Sequence, residues 1–133
     1  MPLKLILVVE NDVNLRQSIA LILQRAGYLV TTTDRACEAL ERIQGGKYRL
    51  VILDFNMPET SLVLLPKIIS FYPHLSTLIL TDQSFSEVER ENKLLSAHYM
   101  IKPIAPERLL DSVEAIIGRK ANSPSSSPFV NNQ

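Results

Sequence analysis

Apolar residues along this chain of 133 residues form short continuous runs that alternate with segments of helical periodicity. The runs predict strands over residues 3–9, 28–33, 50–54, 77–81 and 99–101. A segment with apolar residues three or four positions apart follows each run, and this spacing is typical of an amphipathic helix. The helical pattern is poorest over residues 84–97, where charged side chains outnumber apolar ones. Strands and helices that alternate in this way predict a parallel α/β sheet.

Cap and turn residues bound several of the predicted helices. Asp12 and Asp34 precede the first two helices and are expected to cap them. Gly27 follows the first helix, where a left-handed residue is favoured. Pro66 falls inside the third helical pattern, so that helix either starts late, with Pro66 in its first turn, or is kinked. Pro106 suits the first turn of the last helix.

Composition and charge narrow the class of protein. The hydrophobic content of 46% fits one globular domain, and the 14 basic and 14 acidic residues cancel. With no net charge and no basic recognition helix, we expect no direct binding to nucleic acid and no binding to a membrane surface. The single cysteine, Cys37, excludes an internal disulfide, fits a cytoplasmic protein and is expected to fill the core. No apolar run approaches the ~20 residues that span a bilayer.

Polar residues that are able to take part in binding or catalysis stand where predicted strands end. Asp54 closes the apolar run of residues 50–53, Glu10 follows the first strand, and Thr81 closes the fourth. Lys102 follows the fifth. The carboxyl ends of parallel strands meet in the crevice where open α/β folds bind ligands. Taken singly, Asp54 is better explained as a helix cap and Lys102 as a solvated loop charge, whereas Thr81 is equally consistent with a cap and with a sensor.

Together these residues resemble those of a response-regulator receiver domain of two-component signalling. The resemblance rests on Glu10-Asn11, Asp54, Thr81 and Lys102-Pro103 in this order at successive strand ends, and it covers about residues 3–119. It implies a flavodoxin-like, doubly wound sheet of five parallel strands in the order 2-1-3-4-5, with helices on both faces. We therefore expect a receiver domain over residues 1–120. Residues 121–133 are expected to form a disordered Ser/Pro-rich tail or a linker to an output domain.

The resemblance implies a role for each site residue. Asp54 would accept a phosphoryl group from a sensor histidine kinase or a phosphotransfer protein, and carboxylates act as nucleophiles in such reactions. Weakly bound Mg²⁺ would be held by Glu10, Asn11, Asp54 and the backbone carbonyl of Asn56, since magnesium prefers oxygen ligands. Lys102 would pair with a phosphoryl oxygen. The domain would be a phosphoacceptor and not a conventional enzyme.

A second set of residues would report the phosphorylated state. Thr81 would sense the phosphoryl group through its hydroxyl, and Tyr99 matches the aromatic residue that turns inward in response. Such a pair is a bistable element biased by a local charge. Pro103 is expected to follow a cis peptide bond, which proline permits at a cost of about 0.5–1 kcal/mol. The reporting surface would serve an output domain or a homodimer, and the sequence leaves both open.

Three departures from the family pattern put phosphorylation in question. Asn11 stands where a second carboxylate is usual, which removes a negative charge from the expected magnesium site. Asp82 follows Thr81 where a small residue is usual, and its charge would repel a phosphoryl donor. The loop over residues 59–62 lacks the usual glycine. A degenerate receiver that binds a partner without phosphorylation is therefore the alternative. A flavin carrier ranks lower, because the loop after the first strand has no phosphate cradle.

Overall fold

The computed structural model of the chain describes residues 5–82 and 97–118, and five strands form a parallel sheet within them. The strands are β1 Leu5–Val9, β2 Leu29–Thr33, β3 Leu50–Asp54, β4 Ser76–Thr81 and β5 His98–Ile101. Their order across the sheet is β2-β1-β3-β4-β5, and every adjacent pair is parallel. The predicted doubly wound sheet and its strand order are confirmed.

The helices lie between these strands in the sequence. They are α1 Val13–Arg25, α2 Ala36–Gln44, a π-helical turn Thr60–Leu64 that runs into α3 Leu65–Phe71, and α4 Pro106–Ile117. The helix predicted over residues 84–97 lies almost wholly outside the described residues, as does the predicted tail over 121–133. Among the helices that are described, none has the length and apolar character needed to cross a membrane.

The alternation of side chains along the strands divides the core into two layers. Successive strand residues point to opposite faces, so each apolar run contributes to both layers. One layer packs the sheet against α2 and α3, with buried Leu7, Val9, Val51, Leu53, Ile79, Ala39, Ile43, Leu65 and Ile68. The other packs it against α1 and α4, with buried Ile6, Val8, Leu50, Ile52, Leu78, Leu80, Ile19, Leu23, Leu109 and Val113. All five residues of β3 are buried, as expected for a central strand covered on both faces.

Helix ends at α1 and α4 follow the sequence expectations. The Asp12 carboxylate accepts hydrogen bonds from the backbone N–H groups of Asn14 (2.9 Å) and Leu15 (3.3 Å), which satisfies donors in the first turn of α1. Gly27 has a φ of 99°, a conformation that favours glycine after a helix. Pro106 lies in the first turn of α4, where its missing N–H costs no helical hydrogen bond.

Two expectations for α2 are wrong. Arg35, and not Asp34, is the N-terminal cap residue, and no side-chain hydrogen bond caps the helix. The Thr33 hydroxyl instead accepts a hydrogen bond from the Arg35 N–H at 3.2 Å, so the turn is closed one residue before Asp34, which stays exposed. Cys37 is also exposed and fills no core space, because the buried face of α2 runs through Ala36 and Ala39.

The π-helical turn accommodates Pro66. Leu65 donates its N–H to the carbonyl of Thr60, five residues earlier, which widens the helix immediately before the proline. In a regular α-helix the proline ring would collide with the carbonyl four residues earlier, and the wider turn relieves this crowding. Pro66 then lies in the first turn of α3. The helical backbone already begins before Leu65, so the helix does not start late but widens ahead of the proline.

Candidate functional site

Four of the predicted site residues lie at the carboxyl edge of the sheet. Asp54, the last residue of β3, is in register with Leu80, and Thr81 closes β4. Lys102 follows β5 and donates its backbone N–H to the Thr81 carbonyl at 2.8 Å, which continues the ladder one residue past the strand. Glu10 directly follows β1. Parallel strands end together at one edge of the sheet. Residues from four separate segments of the chain therefore meet there.

Glu10, Asp54 and Lys102 form what we call the acid–lysine cluster. The Lys102 ammonium lies 3.2 Å from Asp54 Oδ1 and 3.7 Å from Glu10 Oε1. The side chains of Glu10 and Asp54 are only 1% and 7% exposed, while that of Lys102 is 23% exposed. One cation thus serves two buried carboxylates, which leaves the cluster with a net negative charge. Such a site attracts a further cation.

Glu10 is the more deeply desolvated of the two acids. Its Oε2 accepts a hydrogen bond from the Asp12 N–H at 3.1 Å, whereas its buried Oε1 has no hydrogen-bond partner among the described residues. Burial raises the pKa of Glu10 above its ordinary value of 4.5, and the neighbouring Asp54 carboxylate raises it further. The Asp12 N–H and the Lys102 charge act in the opposite direction.

The loop between β1 and α1 is held by an arginine that the sequence interpretation missed. Arg16 Nη1 donates to the backbone carbonyl of Glu10 at 2.8 Å and lies 3.5 Å from that of Asn11. Asn11 itself is exposed, and Asp12 is engaged as the cap of α1. The signal available was Arg16 in the first turn of a helix that follows the acidic residue, but many helices carry an arginine there.

A second pair of polar side chains lies outside the acid–lysine cluster, and we call it the Asn56–Asp82 bridge. Asn56 Nδ2 donates to Asp82 Oδ1 at 2.9 Å, and the Asp82 backbone N–H donates to Asn56 Oδ1 at 3.3 Å. Both residues are exposed. The Asn56 backbone N–H donates to Asp54 Oδ1 at 3.0 Å, so one residue contacts both acids. The bridge joins the loop after β3 to the end of β4.

The residues predicted to sense the phosphoryl group lie on the two strands that end at the cluster, Thr81 on β4 and Tyr99 on β5. Thr81 is completely buried. Tyr99 on β5 is half-buried and packs on the core layer between the sheet and helices α2 and α3. Ile79 and Tyr99 are paired in register, which fixes the position of the tyrosine on the edge strand. The peptide bond between Lys102 and Pro103 is cis, as the resemblance implies.

The oxygen atoms at this edge suit a hard cation such as Mg²⁺, although only two of them would come from carboxylate side chains. The buried Oε1 of Glu10, with no hydrogen-bond partner in the described part of the chain, is the type of ligand that Mg²⁺ binds. Across residues 5–82 and 97–118, no group of three His, Cys, Asp or Glu side chains is placed to hold a metal ion. Two carboxylates with carbonyl and water ligands are compatible with weak magnesium binding, because magnesium keeps several waters.

Comparison with known proteins gives a consistent assignment. Residues 6–114 match the response regulator receiver domain family. The chain is 33% identical over 129 residues to the transcriptional regulatory protein BasR of Escherichia coli K12, which covers 96% of this chain and 58% of BasR. It is 32% identical to the DNA-binding transcriptional regulator NtrC of Bradyrhizobium, over 93% of this chain and 25% of NtrC. The chain therefore spans well under two thirds of these relatives.

Two solved structures of similar size match this chain over nearly all of their own length. The chemotaxis protein CheY4 of Vibrio cholerae is 31% identical, with a TM-score of 0.73 over 85% of this chain and 98% of CheY4. A CheY-like receiver domain protein of Methanospirillum hungatei is 28% identical, with a TM-score of 0.75 over 85% of this chain and 92% of that protein. The chain belongs to the response regulator receiver domains of two-component signalling.

Proposed function

We propose that this domain accepts a phosphoryl group on Asp54 from the phosphohistidine of a histidine kinase or phosphotransfer protein. The observation that carries the proposal is the 3.2 Å approach of the Lys102 ammonium to the buried Asp54 carboxylate, with Glu10 Oε1 3.7 Å from the same ammonium. A lone helix cap has no need of a half-buried lysine and a second acid. This arrangement suits a group that must receive a highly charged phosphoryl unit.

In the transfer step, an oxygen of the Asp54 carboxylate attacks the phosphorus atom of the donor. The new O–P bond forms as the P–N bond to the imidazole breaks, and the electron pair of that bond goes to the imidazole nitrogen, which takes up a proton. Asp54 Oδ1 is already held by the Asn56 N–H and by Lys102, which orients the carboxylate before the donor arrives. Lys102 is within reach of a phosphoryl oxygen and offsets the charge that develops there.

Glu10, Asp54 and the Asn56 backbone carbonyl are the residues that would hold Mg²⁺. Magnesium, when bound, supplies positive charge against the phosphoryl oxygens. Glu10 contributes a buried oxygen with no hydrogen-bond partner in the described part of the chain, and Arg16 keeps the Glu10 backbone in place from α1. Asn11 offers a neutral oxygen at most. We therefore expect magnesium affinity below that of a site with a carboxylate at this position.

Phosphorylation would be reported through Thr81 and Tyr99. Thr81 is buried at the end of β4, next to Asp82 in sequence and one residue after Leu80, which is in register with Asp54. A hydroxyl that hydrogen-bonds a new phosphoryl oxygen shifts this strand end, and Tyr99 on the neighbouring strand follows. Within this proposal the exposed face of β5, which includes Ile101, carries the signal to an output domain or a second copy.

The proposal is tested by incubating the protein with Mg²⁺ and acetyl phosphate and measuring the intact mass. We expect a product heavier by one phosphoryl group, labile to hydroxylamine as an acyl phosphate is. The Asp54→Asn variant should not form this product, whereas Glu41→Gln, an exposed carboxylate-to-amide change on α2, should form it as the wild type does. A wild type left unmodified by both acetyl phosphate and phosphoramidate, or a labile product in the Asp54→Asn variant, contradicts the proposal.

A second candidate is a receiver that binds its partner without phosphorylation. The exposed Asn11 and the Asn56–Asp82 bridge favour it, because one removes a magnesium ligand charge and the other places a carboxylate beside the acceptor. This candidate predicts that Mg²⁺ up to millimolar concentrations leaves tyrosine fluorescence unchanged. It also predicts that Asp54→Ala leaves partner binding unchanged. Loss of partner binding in that variant contradicts the second candidate.

A further inference from the structure

The Asn56–Asp82 bridge links a second, exposed carboxylate to the acceptor through Asn56, and the inference drawn from it rests on the proposed function. Asp54 is buried, whereas Asn56 and Asp82 are both exposed, so the bridge lies on the solvent side of the acid. The backbone of Asn56 is bonded to Asp54 and its side chain to Asp82. A donor that approaches Asp54 from solvent therefore meets the Asp82 charge.

The two hydrogen bonds of the bridge fix where that charge is. Both polar atoms of the Asn56 amide are engaged by Asp82, one by its carboxylate and the other by its backbone N–H. The carboxylate accepts one of these bonds and the Asp82 backbone donates the other, so the Asn56 amide ties the carboxylate to its own backbone and its repulsion acts at a defined place. Repulsion between like charges at the mouth of a site lowers the rate of association, and added salt weakens it.

We propose that Asp82, held by Asn56, selects the phosphoryl donor by charge. It disfavours free dianionic acyl phosphates relative to N-phosphoryl donors, which carry less negative charge near neutral pH. The favoured class includes the phosphorylated imidazole of a histidine in a protein. Asp82 takes no part in bond making. With acetyl phosphate the new bond to Asp54 forms as the P–O bond to acetate breaks. With phosphoramidate it forms as the P–N bond breaks and ammonia leaves, since the nitrogen of the monoanionic donor is already protonated.

The test compares two small donors on the same protein with Mg²⁺ present. The initial rates of acyl phosphate formation from acetyl phosphate and from phosphoramidate are measured for the wild type and for Asp82→Asn, Asn56→Ala and Glu41→Gln. Asp82→Asn keeps an oxygen that can accept from Asn56 Nδ2 and removes the charge. Because both donors react with the same carboxylate and metal site, the ratio of the two rates cancels any change in magnesium binding or folding.

Asp82→Asn is expected to raise the acetyl phosphate rate about tenfold and the phosphoramidate rate by less than about threefold. Asn56→Ala, which frees the Asp82 carboxylate, should shift the ratio in the same direction by a smaller factor, and Glu41→Gln should leave it unchanged. Added salt should accelerate the reaction with acetyl phosphate in the wild type more than in the Asp82→Asn variant.

Three results decide the matter. A ratio unchanged in Asp82→Asn overturns donor selection by charge while leaving the proposed function intact. A changed ratio in Asp82→Asn with the wild-type ratio in Asn56→Ala overturns the role of the bridge in holding the charge. Absence of acyl phosphate from both donors in every variant overturns the proposed function, and donor selection with it.

Discussion

The acid–lysine cluster and the Asn56–Asp82 bridge lie at the same edge of the sheet but differ in burial and in charge. Glu10 and Asp54 are almost fully buried around one ammonium group, whereas Asn56 and Asp82 are exposed and bring no cation with them. The cluster joins residues at or directly after three strand ends, whereas the bridge joins the loop after β3 to the end of β4. Under the proposed function, the inner residues supply the chemistry and the outer ones control access to it.

The largest expected effect comes from removing the cation of the inner cluster. Lys102→Met should lower the rate of acyl phosphate formation by about 100- to 1,000-fold, the usual cost of losing one donor that stabilises developing charge. Lys102→Arg keeps the charge with a different geometry and should retain part of the rate. Rates are measured by intact mass with saturating Mg²⁺, after thermal melting shows that each variant is folded. A Lys102→Met rate within threefold of the wild type contradicts the role of the cluster.

A smaller effect is expected from restoring an acid at the exposed position 11. Asn11→Asp should raise magnesium affinity by about tenfold, since the number of ligand charges tunes affinity in hard-cation sites. The measurement is a magnesium titration followed by tyrosine fluorescence. Asp12→Asn is the matched control, because asparagine also caps helices well and this residue is engaged at α1. Equal affinities for Asn11→Asp and the wild type place residue 11 outside the cation site.

Substitutions at Asp12, the cap of α1, distinguish an effect on stability from an effect on metal binding. Asp12→Ala loses hydrogen bonds to Asn14 and Leu15, and the free energy of unfolding should fall by about 1 kcal/mol. Asp12→Asn should restore most of that loss. Urea unfolding measures both variants, and the magnesium titration should show little change in either. A large loss of magnesium affinity in the Asp12→Asn variant, with stability retained, makes Asp12 a ligand and not only a cap.

The smallest effect concerns the pH dependence of stability. The pKa of Glu10 is raised in the folded protein, mainly by burial, so the folded state keeps its proton at higher pH than the unfolded chain does. The Glu10 contribution to stability is therefore complete below its ordinary value of 4.5 and is lost as pH rises through the folded pKa. Without Mg²⁺, the free energy of unfolding of Glu10→Gln, measured by urea unfolding, should fall less steeply with pH over this window than that of the wild type. A free energy of unfolding that falls more steeply with pH in the variant than in the wild type contradicts this expectation.

Residues at strand ends were predictable from the sequence because their position follows from the sheet. Apolar runs fixed the five strands, and Glu10, Asp54 and Lys102 then converge because parallel strands end at one edge. The cap at Asp12 was equally local. The matching of residues 6–114 to the receiver family confirms the fold and family predictions.

Contacts between loops were not predictable in the same way. The sequence interpretation noted that Asp82 carries an unfavourable charge, but not that Asn56 holds it, because the two residues are 26 positions apart in separate loops. The cap at Asp34 was wrong because Thr33, one residue earlier, reaches the same turn. Cys37 was placed in the core from helical spacing, although the buried face of α2 runs beside it.

The most direct test of the central claim is to identify the residue that receives the phosphoryl group. Protein treated with phosphoramidate and Mg²⁺ is reduced with borohydride, which converts an aspartyl phosphate to homoserine, and the peptides are then sequenced by mass spectrometry. The account predicts homoserine at position 54 and aspartate at position 82. Homoserine at another position, or an unmodified Asp54 in protein that carries the phosphoryl mass, contradicts it.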